Sequence, residues 1–285
     1  MTGAAVPFAW RSCRIGAGGA TLAAYEAGSD ASDAPVALLL HGLGHWTDGA
    51  WGRVIPHLDP AIRYVAFDLP GFGESDKPAV RYNRAYFRRV VDDVADALGL
   101  SRFALVGHSL GGLIAADWAG THPERVTHLA LIAPAAFARS PRHVVFALVG
   151  NLTRRVTPPR PSRRFVLRAL EGGVADPTVL DPADVERAYA LSADAGLRRA
   201  FTGVYASAVE AFGGSRELRA GFARYGGPLL CAWGRHDRYI PVTALRGVQR
   251  VYPHAQTLIL ERSGHLPMIE QPQELAAVLR TFLRS

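Results

Sequence analysis

The sequence predicts an α/β protein with a mainly parallel sheet of eight strands, flanked by helices and interrupted by one inserted helical segment. Three observations predict it. Short apolar runs alternate with helical stretches through most of the 285 residues, the pattern of strand-helix-strand units. That alternation breaks between Pro134 and Gly227, where arginines and prolines take over. Finally, the apolar run 103–106 enters Gly107-His108-Ser109-Leu110-Gly111-Gly112 and continues as an apolar helix, a strand-turn-helix junction that lifts a serine hydroxyl clear of a sheet.

Taken in order, the runs 10–15 and 21–26 flank Gly16-Ala17-Gly18-Gly19 and read as an antiparallel hairpin. Further strands are expected at 36–40, 64–67, 103–106, 129–132, 229–233 and 257–260, all apolar, as strands covered on both faces are. Helices are expected at 51–58, 84–98, 110–119, 242–251 and 273–283. The second carries Phe87, Val90, Val91, Val94 and Leu98 at spacings of three and four, an apolar stripe facing a sheet. Asp92, Asp93 and Asp96 then fall on its solvated side and do not read as a metal cluster. The segment 134–227 reads as a helical cap over one end of the sheet, with residues 1–133 and 228–285 as the core. Phe137, Val145, Phe146, Leu148, Phe165, Leu167, Phe201, Tyr205 and Phe212 are expected to supply an apolar underside to that cap.

With 49% hydrophobic and 20% charged residues, the chain can bury one sizeable core, which excludes disordered and fibrous classes. Its apolar runs are too short to span a bilayer. The first residues have neither a basic start nor a long apolar stretch, so a cytoplasmic location is expected. Cys13 and Cys231 lie far apart and read as buried fillers, not as a disulfide or metal site. The net charge of +7 rests on arginine, with Lys77 the only lysine, and no basic stripe interleaved with aromatics accompanies it. A small molecule, not a nucleic acid, is therefore the expected partner. His41, His45 and His108 lack any metal-ligand spacing and no glycine-lysine pair follows a glycine-rich turn, so neither metal nor cofactor is expected.

A serine hydroxyl is a weak nucleophile at neutral pH and needs a base, which in turn needs an orienting carboxylate. His265 follows the last expected strand in Arg262-Ser263-Gly264-His265, and Asp237 follows the strand 229–233 in Gly234-Arg235-His236-Asp237. Both fall on the sheet edge that carries Ser109, whereas Ala133-Pro134-Ala135-Ala136 after the intervening strand offers no acid. His236 reads as structural. Donors for a developing oxyanion are expected from the backbone amides of Leu110, directly after the serine, and of Leu43 in His41-Gly42-Leu43-Gly44.

On HGLG at 41–44, DLPGFGESD at 68–76, GHSLGG at 107–112, GRHDRYIP at 234–241 and SGHLPMIEQP at 263–272, the chain resembles the α/β-hydrolase superfamily, in the group with a helical cap. The resemblance implies the α/β-hydrolase fold, with Ser109, Asp237 and His265 as the triad. It also implies that the 68–76 loop builds structure beside the oxyanion turn, which leaves Asp68, Glu74 and Asp76 out of the catalytic set. Relatives that open epoxides or remove halides carry aspartate at the nucleophile position. Ser109 therefore points to hydrolysis of a carboxylic ester, thioester or lactone. A second reading is hydrolysis of a carbon-carbon bond in a ring-cleavage product of aromatic degradation. Those relatives carry asparagine before the nucleophile and tryptophan soon after the base, where this chain has His108 and Leu266-Pro267-Met268. A third is a non-catalytic ligand-binding protein, since the fold alone does not establish activity.

Overall fold

The computed structural model describes residues 10–137, 156–212 and 216–285. Eight strands form one sheet: β1 (Arg11–Ala17), β2 (Ala20–Gly28), β3 (Val36–Leu40), β4 (Arg63–Phe67), β5 (Phe103–His108), β6 (Val126–Ile132), β7 (Leu229–Gly234) and β8 (Gln256–Leu260). Their order across the sheet is β1-β2-β4-β3-β5-β6-β7-β8. β2 runs antiparallel to both β1 and β4, and every other pairing is parallel. The hairpin turn is tighter than expected. Ala17 pairs with Ala20, leaving a two-residue turn of Gly18 and Gly19 at φ of 60° and 72°, the left-handed pair that matches strand twist in such hairpins.

Helices cover both faces. On one lie α2 (Arg84–Ala97) and α3 (Leu110–Thr121), whose Phe87, Val90, Val91, Leu113 and Trp118 share a core with Leu38, Leu40, Phe103 and Leu105. On the other, α1 (Thr47–Trp51) and the C-terminal helix bury Trp51, Leu275, Leu279 and Phe282 against Leu39, Ala104 and Val106. Alternate residues of β3 and β5 thus serve opposite cores, which is why these strands are apolar without a break. The same does not hold at the edges: β1 and β8 are partly exposed, because each has a neighbour on one side only.

Several helix boundaries differ from expectation. The helix placed at 51–58 is instead α1 followed by a 3₁₀ turn at Ile55–His57, since Pro56 has no N–H with which to continue the ladder. The stretch 242–251 divides into a 3₁₀ turn, Val242–Ala244, and a helix, Leu245–Val251. Asp92 and Asp93 are half-buried and not free on a solvated face: Asp92 accepts from Trp118 Nε1 at 2.7 Å and Asp93 from Gly18 N at 2.6 Å. Cys231 is buried, but Cys13, on the edge strand β1, is only half-buried.

Between β6 and β7 the described chain is helical: α4 (Arg163–Gly173), α5 (Pro182–Leu191), α6 (Ala195–Phe212) and α7 (Arg216–Phe222). It is fastened to the sheet by ion pairs of Arg53 with Asp184 at 3.1 Å, Lys77 with Asp194 at 3.5 Å, and Glu74 with Arg187. Of the residues expected to form its apolar underside, Phe137 packs on Phe222 and Tyr252, and Phe201 pairs with Tyr205 at 5.2 Å. Phe165 is instead 66% exposed, on the outer face of α4. Val145, Phe146, Leu148 and the Phe212 side chain lie outside the described residues. Among the described residues no helix is long and apolar enough to cross a membrane, and no cluster of metal-ligating side chains occurs.

Candidate active site

The site begins at the junction of β5 and α3. Ser109 adopts φ 52° and ψ −110°, a backbone conformation that costs a non-glycine residue about 1–3 kcal/mol and is held by its surroundings. Its N–H donates to Ile132 O at 2.9 Å, and its carbonyl accepts from Leu113 N and Ala135 N, each at 3.0 Å. The turn closes because its flanking residues have no side chain. A Cβ on Gly107 would overlap the carbonyl of Gly111, and one on Gly111 the carbonyl of Leu40 in the next strand. Gly111→Ala should therefore lower stability by about 3 kcal/mol, measured as a shifted urea midpoint; an unchanged midpoint would contradict this packing.

Ser109, Asp237 and His265, which come from three strand ends, meet here. His265 Nε2 lies 3.0 Å from Ser109 Oγ, and His265 Nδ1 lies 2.7 Å from Asp237 Oδ2. All three are buried, with Ser109 9% exposed. Asp237 Oδ1 accepts from the backbone N–H groups of Tyr239 and Ile240, both at 2.8 Å. With every oxygen engaged the carboxylate is fixed, so Nδ1 carries the proton and Nε2 presents its lone pair to the serine. Trp233 Nε1 donates to Ile240 O at 2.8 Å, pinning the 234–241 loop. His236 is exposed beside it.

The loop after β3 sits against this junction: a Cβ on Gly42 would lie 2.7 Å from His108 Nδ1 and 3.2 Å from Ser109 Cβ. Leu110 N opens α3, where the first turn leaves N–H groups without intrahelical acceptors. Leu43 lies in the adjoining loop, between Gly42 and a Gly44 at φ 74°. His41 holds that loop, with Nδ1 donating to Gly42 O at 2.7 Å and Nε2 accepting from Leu69 N at 2.8 Å. Asp68 supports it from behind, accepting from Thr47 N at 2.6 Å and Glu74 N at 2.7 Å, while Asp76 accepts from Thr21 N at 2.8 Å. These acids are thus occupied by backbone donors.

Burial holds the imidazoles of His41, His45 and His108 neutral, pushing each below the usual histidine range, His45 to about 3. Neighbouring imidazoles reinforce the shift at His45 and His108. Phe201 of α6 approaches Gly44 in the loop after β3, and the Tyr239 ring stands 5.5 Å from that of His265.

Two supports of His265 were not visible in the sequence. Its backbone N–H donates to Gly173 O at 2.7 Å, at the end of α4, and its carbonyl accepts from His108 Nε2 at 2.9 Å. Glu270 closes the short helix Pro267–Glu270 and gathers both segments: Oε2 accepts from Gly264 N at 2.6 Å, and Oε1 from Ala175 N at 2.7 Å and Asp176 N at 3.3 Å. An acid six residues past a glycine, inside an otherwise apolar turn, was the available signal. Glu270→Gln turns one acceptor into an N–H donor facing N–H groups, and should lower stability by about 1–3 kcal/mol; a urea midpoint equal to that of the parent would contradict it.

The alpha/beta hydrolase fold model matches residues 35–272. The chain is 29% identical over 252 residues to a 2-hydroxymuconate semialdehyde hydrolase of Pseudomonas sp. (strain CF600), covering 86% of each chain. It is similar to the crystal structure of a bacterial membrane phospholipase A at 29% identity and a TM-score of 0.76, covering 98% of this chain and 86% of that one. It also shares its fold with a 2-hydroxy-6-oxo-6-phenylhexa-2,4-dienoate hydrolase from Rhodococcus sp. strain RHA1, at 23% identity and a TM-score of 0.81, over 98% of this chain and 100% of that one. With the match running from the start of β3 to the start of the C-terminal helix (Pro272–Leu283), the chain belongs to the alpha/beta hydrolase fold family.

Proposed function

We propose that the protein is a serine hydrolase that cleaves a carboxylic ester, thioester or lactone of a small, mostly apolar substrate through an acyl-serine intermediate. The observation that carries this reading is the hydrogen-bonded line from Ser109 Oγ through His265 to Asp237, at 3.0 and 2.7 Å. Ser109 Oγ attacks the carbonyl carbon while His265 Nε2 takes its proton. The oxyanion is met by the Leu43 and Leu110 N–H groups. On collapse the bond to the leaving alcohol breaks and His265 returns the proton to it. Water then gives its proton to His265 as it attacks the acyl carbon, and the free acid leaves as Ser109 regains its hydrogen. In this reading residues 134–227 form a cap that excludes water and selects substrate, over a core of residues 1–133 and 228–285.

What favours an uncharged substrate is the use made of three described arginines between β6 and β7. Arg198 donates to the carbonyls of Pro158, Ser192 and Ala193 at 2.7–2.8 Å. Arg199 donates to Thr157 Oγ1 at 3.3 Å, and Arg163 pairs with Glu186. They bind the segment to itself, while the rings of Phe201, beside Gly44, and Tyr239, beside His265, carry no charge. The carbon-carbon hydrolase reading draws its support from the 29% identical 2-hydroxymuconate semialdehyde hydrolase. It uses the same residues on a vinylogous diketone acid.

A fluorophosphonate probe tests the common chemistry: the protein should be labelled at Ser109, and Ser109→Ala should not be. Labelling absent from the parent, or equal in the variant, would refute the serine mechanism and favour a non-catalytic binder. Turnover of short aryl esters against that of a vinylogous diketone acid then separates the two substrates, faster cleavage of the ester being expected.

A further inference from the structure

The residue before the serine is a buried histidine that the mechanism above does not use. His108 ends β5 at 1% exposure. Its Nε2 lies 2.9 Å from the carbonyl oxygen of His265, and its ring centroid lies 4.8 Å from that of the base. A carbonyl can only accept, so Nε2 carries the ring's hydrogen and Nδ1 is a bare lone pair. That Nδ1 has no hydrogen-bond partner among the described residues and faces Gly42, where a Cβ would come within 2.7 Å of it. One ring therefore touches two parts of the site that reach Ser109 from opposite directions: the chain that carries the base and the loop that carries the Leu43 amide.

We infer that His108 is a positioning residue, which sets the distance between the base His265 and the oxyanion loop through its Nε2–H bond to the His265 carbonyl and its seat against Gly42. The inference rests on the reading of Ser109 as nucleophile and His265 as base. The physical need is clear from how His265 is held. Its side chain is oriented by Asp237, but its backbone hangs between two hydrogen bonds, N–H to Gly173 O and C=O to His108. The first belongs to the segment between β6 and β7; the second ties the base directly to the strand that leads into the nucleophile. Loss of that second tie lets the imidazole drift relative to Ser109 Oγ. A drift of about 1 Å at reacting atoms can lower a rate about 100-fold without changing substrate affinity. An uncharged ring is also suited to this place, because a second positive charge beside His265 would oppose the imidazolium that forms there.

The test compares four variants on an aryl ester and in the rate of labelling by the fluorophosphonate probe. Glutamine places its amide nitrogen at a reach like that of Nε2; asparagine reaches only as far as Nδ1; phenylalanine keeps the ring and lacks the donor; alanine removes both. His108→Gln is expected to keep kcat within about fivefold, and His108→Asn and His108→Phe to lose about 10- to 100-fold in kcat with KM within about threefold. Labelling rates should fall in the same order. Near-ultraviolet circular dichroism and melting temperature report folding, and the Gln-Asn comparison stands even where Phe or Ala does not fold. The inference is overturned if Asn and Phe keep kcat within about twofold, if Gln falls as far as Phe, or if every loss merely follows the folded fraction. If the parent protein is not labelled at all, it is the serine-hydrolase reading that fails.

Discussion

Ser109→Ala is expected to lower kcat on an aryl ester by about 10,000-fold or more, with a melting temperature at least equal to that of the parent. The rate falls because no other hydroxyl or thiol lies within hydrogen-bond distance of His265 Nε2 among the described residues. Stability does not suffer, because alanine tolerates the φ of 52° no worse than serine and leaves the backbone bonds to Ile132, Leu113 and Ala135 intact. Asp237→Asn is expected to approach the same loss, about 10,000-fold. The asparagine amide would keep its place yet favour the histidine tautomer with the proton on the wrong nitrogen. Steady-state kinetics with active-site titration measures both. A fall of less than about tenfold for Ser109→Ala would remove it from the reaction.

Acidification should destabilise the fold well before carboxylates titrate. His45 is half-buried, its Nδ1 shielded from solvent without a hydrogen-bond partner among the described residues, and its pKa is pushed down to about 3 from the ordinary 6.5, first by desolvation and then by His41 and His265. Because the folded value lies below the unfolded one, the unfolded chain binds the proton more readily. The contribution to stability is complete above about pH 6.5 and is lost as pH falls toward 3. At pH 5 this one residue should cost about 2 kcal/mol relative to pH 7.5. His41 and His108, lowered for the same first reason, add to it. Urea denaturation at the two pH values measures the loss, and His45→Phe should recover about 2 kcal/mol of it. Equal pH dependence in parent and variant would refute the assignment.

Much of this architecture was legible in the chain because it rests on local rules. Strands β3 to β7 are apolar runs covered on both faces, and the Gly107 to Gly112 turn is a short-range steric demand that only glycine meets. Asp237 and His265 could be named because residues just past parallel strands collect at one edge of the sheet. The structure brings their atoms to 2.7 and 3.0 Å of their partners. The helix ends were less legible, since Pro56 ends a ladder that the apolar pattern alone would continue. Asp92 and Asp93 looked solvated on helical spacing, yet the hairpin turn and Trp118 bring N–H donors to them from elsewhere in the chain.

The sequence by itself determined the fold and pointed to Ser109, Asp237 and His265 as the groups proposed to react, because both follow from periodicity and from the few residue types a strained turn or a proton relay admits. Only the tertiary structure decided how His265 is held. The bonds from His108, 157 residues away, and to Gly173 join segments whose approach depends on sheet order and on the packing of α4. It also decided that Arg198 clasps the carbonyls of Pro158, Ser192 and Ala193 while Arg163 pairs with Glu186, since side-chain direction is set by which neighbours a folded helix meets and not by its composition.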